Sequence, residues 1–238
     1  MSAAKGVLLL LLQLGTFDVA SVKRATTNRY VPPAVDPERF RIVATLSNAI
    51  LWAYDIHSYQ ISGGSTWMTR DYYQIEGTTQ TPATPKEMRT MLQMLLADRF
   101  KLKVHRESKE MPVYALIIGT SGSKLQSAKE PCGSNGCIDV GPGEFRARSA
   151  TMVSTAATLS NLVDRPVLDM TGLDGRYDFR MKFDPTLIKP YDGQPAPRPG
   201  ADDPSIFVAV QDLGLKLEPR RSRVEILVID GATAPDVN

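Results

Sequence analysis

The chain has 238 residues, enough for one large domain or two ordinary ones, and its 42% hydrophobic and 23% charged residues are those of a globular protein with a core of its own. With 28 basic and 26 acidic residues the net charge is +2, too even for the concentrated basic face of a nucleic-acid binder. Two cysteines and two histidines also exclude a disulfide-rich mini-scaffold and a histidine-built metal centre.

At the N-terminus Lys5 precedes the apolar run Val7-Leu-Leu-Leu-Leu-Leu12 and Leu14. A cation followed by a short apolar stretch is the order of an export signal, expected over residues 1–16. The same run also fits a buried first strand or helix. It is far shorter than the roughly 20 apolar residues a bilayer-spanning helix needs, and no later run is longer. The expected location is therefore periplasmic or extracellular, with no membrane span in the mature chain.

Phe17 to Val22 reads as an opening strand, and residues 24–38, with Pro32, Pro33 and Pro37, as a loop. Phe40 to Val43 is a short strand. Thr45 then caps a helix with Leu46, Ala49, Ile50, Ala53, Tyr54 and His57 on one face. Gly63-Gly64 marks a turn and Tyr72 to Glu76 a strand. Thr84-Pro-Lys-Glu87 is a capping box with proline at the first helical position, and Met88, Met91, Leu92, Leu95 and Leu96 form the stripe that follows. Lys101 to Arg106 and Val113 to Ile118 read as two strands joined by Ser108 to Pro112 in an antiparallel hairpin. Residues 120–144 read as a Gly/Ser-rich connecting loop. It carries Cys132 and Cys137 with four turn-forming residues between them. A disulfide is the expected state, worth about 2 kcal/mol for so short a loop; free thiols and a metal site are the alternatives, the second lacking further ligands nearby.

From residue 145 the same order of elements recurs. Phe145-Arg146 answers Phe40-Arg41, Thr151-Met152 opens a helix, Gly175 to Phe179 is a strand, Asp203-Pro204 opens a second helix, and Gly214 to Leu217 with Val224 to Ile229 answers the first hairpin. The expected fold is α+β in two similar modules, 17–119 and 145–238, each strand-helix-strand-helix-strand-strand with antiparallel hairpins. Six prolines between 185 and 204 make residues 184–204 an irregular excursion within the second module.

Several segments together carry a resemblance. They are Phe17 to Lys23, Tyr59-Gln-Ile-Ser-Gly-Gly64 with Trp67, Met88 to Glu107, Pro112 to Leu116, Asp164-Arg-Pro-Val167, Thr171-Gly-Leu-Asp-Gly-Arg-Tyr-Asp-Phe179 and Leu213 to Leu217. The chain resembles the soil-associated bacterial family of unknown function, a highly paralogous family. The resemblance implies export, because members usually begin with a signal sequence. It also implies a link to signalling, because related domains are fused to membrane metallopeptidases of the antibiotic-sensor type. The family has no established activity, so no catalytic residue is carried over. At the level of element pattern alone, the chain is also similar to the small N-terminal module of secretins and TonB-dependent receptors.

The chemistry-bearing residues are sparse. His57 beside Asp55 reads as a helix-end residue; a hydrolytic site near it, between the modules, is the alternative function. Neither a Gly-x-Ser-x-Gly elbow nor a phosphate loop occurs. Two candidate ligand sites remain. One is basic, with Lys103, His105 and Arg106 on the first hairpin and Arg221 on the second; its bland counterpart is a pair of solvated strand faces. The other is aromatic, with Tyr59 and Trp67 near the glycine turn; its counterpart is a roof over the core. The expected function is a non-catalytic binding or interaction module of the bacterial cell envelope or exterior. It needs no cofactor or metal, and its partner is an envelope protein or a small ligand.

Overall fold

A computed structural model describes residues 15–133, 136–141, 143–187 and 203–235. Residues 1–14, which hold nearly all of the expected export signal, and residues 188–202, most of the proline-rich excursion, lie outside these. The fold is α+β, as the sequence pattern implies. The chain divides into two compact units, residues 1–109 with 225–238, and residues 110–224. The expected modules, 17–119 and 145–238, are each continuous in sequence, whereas the compact units take residues 225–238 into the first and residues 110–119 into the second.

The first unit is built on an antiparallel sheet of β1 (Val19–Arg24), β2 (Val31–Asp36), β3 (Arg39–Thr45) and β5 (Tyr72–Thr78), in the order β1-β5-β3-β2. Alternation decides its faces. Phe40, Ile42 and Ala44 of β3 and Tyr73 and Ile75 of β5 are buried, while Arg39 and Arg41 between them are exposed. The buried face is covered by α1 (Leu46–Tyr54) and α3 (Pro85–Arg99), whose Leu46, Ala49, Ile50, Ala53, Met88, Leu92, Leu95 and Leu96 join the same apolar cluster. Thr45 caps α1 by accepting from the Asn48 N–H. The capping box of α3 is reciprocal: Thr84 Oγ1 accepts from the Glu87 N–H at 3.3 Å, and Glu87 Oε2 accepts from the Thr84 N–H at 2.7 Å.

Three expectations for this unit change. Residues 31–36 are a strand and not part of a loop. Pro32 and Pro33 are accommodated because β2 lies at the sheet edge and its register slips between Val31 and Ala34, so missing N–H groups leave no partner unsatisfied in the middle of the ladder. Helix α1 stops before His57: Asp55 takes the left-handed conformation with φ 54°, and His57 instead opens a single 3-10 turn at Ser58–Gln60. A short strand β4 (Ile61–Gly63) follows, then α2 (Trp67–Arg70).

The two hairpins are absent. Lys101 to Ile118 contributes one sixteen-residue strand, β6 (Lys103–Ile118), and the C-terminal pair is one strand, β12 (Leu215–Gly231). The linkers Ser108 to Pro112 and Glu218 to Ser222 contain no glycine, asparagine or aspartate, and none of their residues has positive φ, which a tight reversal requires. Pro112 and Pro219 hold φ near the extended region, so they continue a strand wherever their missing N–H is not called on. In the first unit, β4 runs parallel to residues 227–229 of β12. In the second, β10 (Val167–Asp169) runs parallel to residues 114–116 of β6.

The second unit carries an antiparallel sheet of β7 (Gln126–Ser127), β8 (Cys137–Gly141), β9 (Glu144–Ala150) and β11 (Tyr177–Lys182), in the order β7-β11-β9-β8. Two of these strands lie in the stretch expected to be a plain connecting loop. Phe145, Ala147 and Met181 are buried with Phe183 against α4 (Met152–Leu159) and α5 (Ile206–Asp212). Thr151 caps α4 as expected, whereas α5 is capped by Ser205 and begins after the expected Asp203-Pro204.

Replacing Thr84 with alanine removes one half of the α3 box and is expected to cost about 1 kcal/mol, read as a lower denaturant midpoint at unchanged slope.

Candidate functional site

The two cysteines form a disulfide, with Cα atoms 5.5 Å apart, directly before β8. Cys137 is the first residue of that strand and stands opposite Arg148 of β9. Next along the ladder, Asp139, Arg146 and Arg180 form one row across β8, β9 and β11. The strand period of two therefore places Arg146 and Arg148 on the exposed face, with Phe145 and Ala147 on the buried one.

A cavity of about 790 Å³ lies in this unit. Its cationic lining is Lys124, Arg146, Arg148 and Arg180, with Asp139 and Asp178 as carboxylates; Ile138, Phe179 and Leu213 also border it, though these three pack against the core of the unit. Local backbone contacts set the rim. The Lys124 N–H donates to the Leu213 carbonyl at 2.9 Å, and the Gly119 N–H to the Gly214 carbonyl at 2.8 Å. Gly214 has φ 73°, and a Cβ there would lie 1.9 Å from the Gly122 carbonyl oxygen, so only glycine allows the two segments to meet so closely. Phe179 stacks on Phe145 with ring centroids 5.8 Å apart, on the core side of the sheet and opposite the arginines.

The four cations are not equivalent. Arg146 and Arg180 stand directly opposite one another, a repulsive pairing across a ladder. Glu144 offsets it by accepting from Arg146 Nε at 2.7 Å and pairing with Arg180 Nε at 2.8 Å. The hydrogen bond from Arg146, aided by desolvation-opposing charge from Arg146, Arg180 and Lys182, holds the Glu144 carboxyl below the ordinary glutamate range. Asp178 is committed to the backbone: its Oδ1 accepts from the Ser149 N–H at 2.7 Å and its Oδ2 from the Lys129 N–H at 3.3 Å. Lys124 and Arg148 make no ion pair among the described residues.

The residues singled out in the sequence are placed otherwise. Lys103, His105 and Arg106 belong to the first unit and Arg221 to the second. His105 Nδ1 lies 2.9 Å from Asp230, Arg106 pairs with Glu225, and Arg221 Nε donates to Glu110 at 2.7 Å. Each of these three thus faces a carboxylate, while Lys103 is exposed on β6. Trp67 is half-buried, stacked on Phe100 and edge-on to Tyr73 over the first unit's core. Tyr59 lies in the 3-10 turn with its ring 5.6 Å from that of His57, which is exposed. Lys124, Arg148 and Phe179 were not singled out. The signal for Arg148 and Phe179 is the alternation of Phe145-Arg-Ala-Arg148 and Phe179-Arg-Met-Lys182, where every second residue is basic; nothing local marks Lys124. Among the described residues, no group of three or more His, Cys, Asp or Glu is placed to hold a metal ion.

The family described as protein of unknown function (DUF3738) matches residues 47–232. The chain belongs to this family. The match begins one residue into α1 and ends just beyond β12, so it takes in every element of the second unit and leaves β1, β2 and β3 ahead of it. No curated protein and no solved structure matches the chain. Membership in a family of unknown function brings no activity with it.

Glu144 contributes stability that is complete above the unfolded-state value of about 4.3 and is lost as pH falls through its lower folded value. Accordingly, Glu144→Gln should lower the melting temperature at pH 7, and the gap to the unaltered protein should close as the pH is taken from 5 down to about 2. A gap that stays constant over that range would show that Glu144 acts through packing alone.

Proposed function

We propose that the chain is an exported, non-catalytic binding module of the bacterial cell envelope or exterior, and that the cavity of the second unit is its ligand site. The observation that carries this reading is the pair of cations Lys124 and Arg148, which make no ion pair among the described residues, in a cavity of small-molecule size. Charged side chains without partners are kept at a concave surface at a cost in self-repulsion, which an incoming anion would relieve. The lining offers guanidinium, ammonium and carboxylate groups, suited to holding charge, and both histidines belong to the first unit. The Cys132–Cys137 disulfide fits an oxidising compartment, and the apolar run after Lys5 fits an export signal. No helix among the described residues is long and apolar enough to cross a membrane.

Two experiments test the reading. Fragment screening of the ¹⁵N-labelled protein should give amide shift changes concentrated at residues 124–126, 137–139, 146–148 and 178–180. Changes confined to the first unit, or scattered without focus, would remove the cavity as the site. For export, deletion of residues 1–16 should leave the protein inside the cell when the full chain is recovered outside the inner membrane; equal recovery of both forms would remove the signal.

A further inference from the structure

We infer that the cavity of the second unit takes a small phosphate monoester on a hydroxylated body, a phosphorylated sugar or polyol. The inference rests on the ligand-site reading above and names the class of ligand. Its first ground is the side of the sheet that the charged residues face. Strand alternation turns Asp139, Arg146, Arg148, Arg180 and Lys182 away from the side that buries Phe145, Ala147 and Met181. Ile138, Phe179 and Leu213 pack into the core, so a hydrocarbon body would find nothing of theirs to cover on the charged face. Recognition there is by charge and hydrogen bonding.

The second ground is how the charges are matched. Glu144 pairs with both Arg146 and Arg180 and stands opposite Lys182, and Asp139 stands opposite Arg146. Arg148 has no such neighbour among the described residues. Opposite it on β8 is Cys137, tied into the disulfide, and on its β11 side the register slips between Tyr177 and Phe179. Asp178, the acid at that slip, accepts from the Ser149 and Lys129 N–H groups. Ser149, next to Arg148, is buried with φ 51°, and its carbonyl accepts from Arg176. The backbone that carries Arg148 is thus fixed before any ligand arrives. With Lys124 on the rim, five cations meet the three carboxylates of Asp139, Glu144 and Asp178, a surplus of two positive charges. A carboxylate or a sulfate monoester cancels one of these. A phosphate monoester, close to doubly charged at neutral pH, cancels both, and its oxygens match the paired N–H groups of Arg148 with Lys124 as the second charge. The third ground is size. A phosphate alone fills little of a cavity of about 790 Å³, whose lining also includes the exposed Gln126 and Asp139, acceptors for hydroxyl groups. The carboxylates also break the cations into short runs that a long polyanion could not follow.

The test titrates the ¹⁵N-labelled full chain with glucose 6-phosphate, glucose 6-sulfate, glucose and inorganic phosphate, read from the cavity amides. At about pH 7.5 the sugar phosphate should bind at least about tenfold more tightly than the sugar sulfate, which carries one charge fewer on the same body. The gap should close by about pH 5, below the second phosphate ionisation at about pH 6. The groups facing the ligand are the cations of Lys124, Arg146, Arg148, Arg180 and Lys182 and the carboxylates of Asp139, Glu144 and Asp178, whereas both histidines belong to the first unit, so the titration read is the ligand's. Glucose should give no shifts, and inorganic phosphate should bind more weakly than the sugar phosphate. Arg148→Gln and Lys124→Gln should each weaken sugar-phosphate binding by about tenfold, while Arg221→Gln, whose partner is Glu110, should leave it unchanged. Circular dichroism of each variant establishes that it is folded. Equal affinity for the phosphate and the sulfate at about pH 7.5, or sugar-phosphate binding untouched by both cavity variants, would overturn the inference. Inorganic phosphate binding as tightly as the sugar phosphate would also overturn it, leaving an adventitious ion only. If no sugar phosphate binds while other fragments shift the cavity amides, the ligand site stands and its class falls. Loss of the ligand site itself would show as fragment shifts that avoid residues 137–148 altogether.

Discussion

A four-stranded antiparallel sheet with one apolar face is stable only when something covers that face. Each unit of this chain answers that demand with two helices packed on one side of its sheet. In the first unit the covering residues are Leu46, Ala49, Ile50, Met88 and Leu92; in the second they are Met152, Ala156, Leu159, Ile206 and Val210. Because the buried side of the second sheet is settled by Phe145, Ala147 and Met181, the opposite side is settled too. Arg146, Arg148 and Arg180 are turned outward by the same alternation that turns the phenylalanine inward. The charge that makes this unit chemically distinctive is therefore a by-product of register. A one-residue slip in β9 would bury the arginines and destroy the fold and the site together.

Such a row of like charges is held in place by short, specific contacts. Glu144 lies at the start of β9 and binds the guanidinium on its own strand and the one on β11, so that the cations come to sit at fixed positions. The disulfide does for β8 what Glu144 does for β9 and β11. It closes a five-residue separation at the point where the edge strand begins, and so sets Cys137 opposite Arg148 without relying on a long ladder. Gly214, pressed against the Gly122 carbonyl, fixes the rim that carries Lys124.

Legibility in the sequence followed the range of the interaction involved. Helices with local signals were readable: Thr45, the Thr84 to Glu87 box and Thr151 each announce an N-terminus within four residues. The strands with clean alternation, Phe40 to Val43 and Tyr72 to Glu76, were readable for the same reason. What could not be read was whatever depends on a distant neighbour. Pro32 and Pro33 look like loop residues unless it is known that β2 ends a sheet. Pro112 and Pro219 look like turn markers unless it is known that their strands run on. The basic residues at 105, 106 and 221 looked available because their acidic partners lie far along the chain, as much as 125 residues away for His105 and Asp230. Conversely, the arginines of β9 and β11 looked like ordinary solvated strand positions, since nothing local says that a rim with Lys124 and Leu213 rises beside them.

The two prolines of β2 bear on a different question, how the protein behaves among other copies of itself. An open sheet edge presents a row of free N–H and C=O groups that another chain can pair with. Pro32 and Pro33 each lack an N–H, and because successive strand residues direct theirs to opposite sides, this pair takes a donor from the open side as well, while the register slip beside them breaks the spacing of those that remain. The opposite edge, β1, ends in Lys23-Arg24, so a second copy approaching there brings like charge against like charge. Both ends of the first sheet are thereby made poor templates for growth from copy to copy.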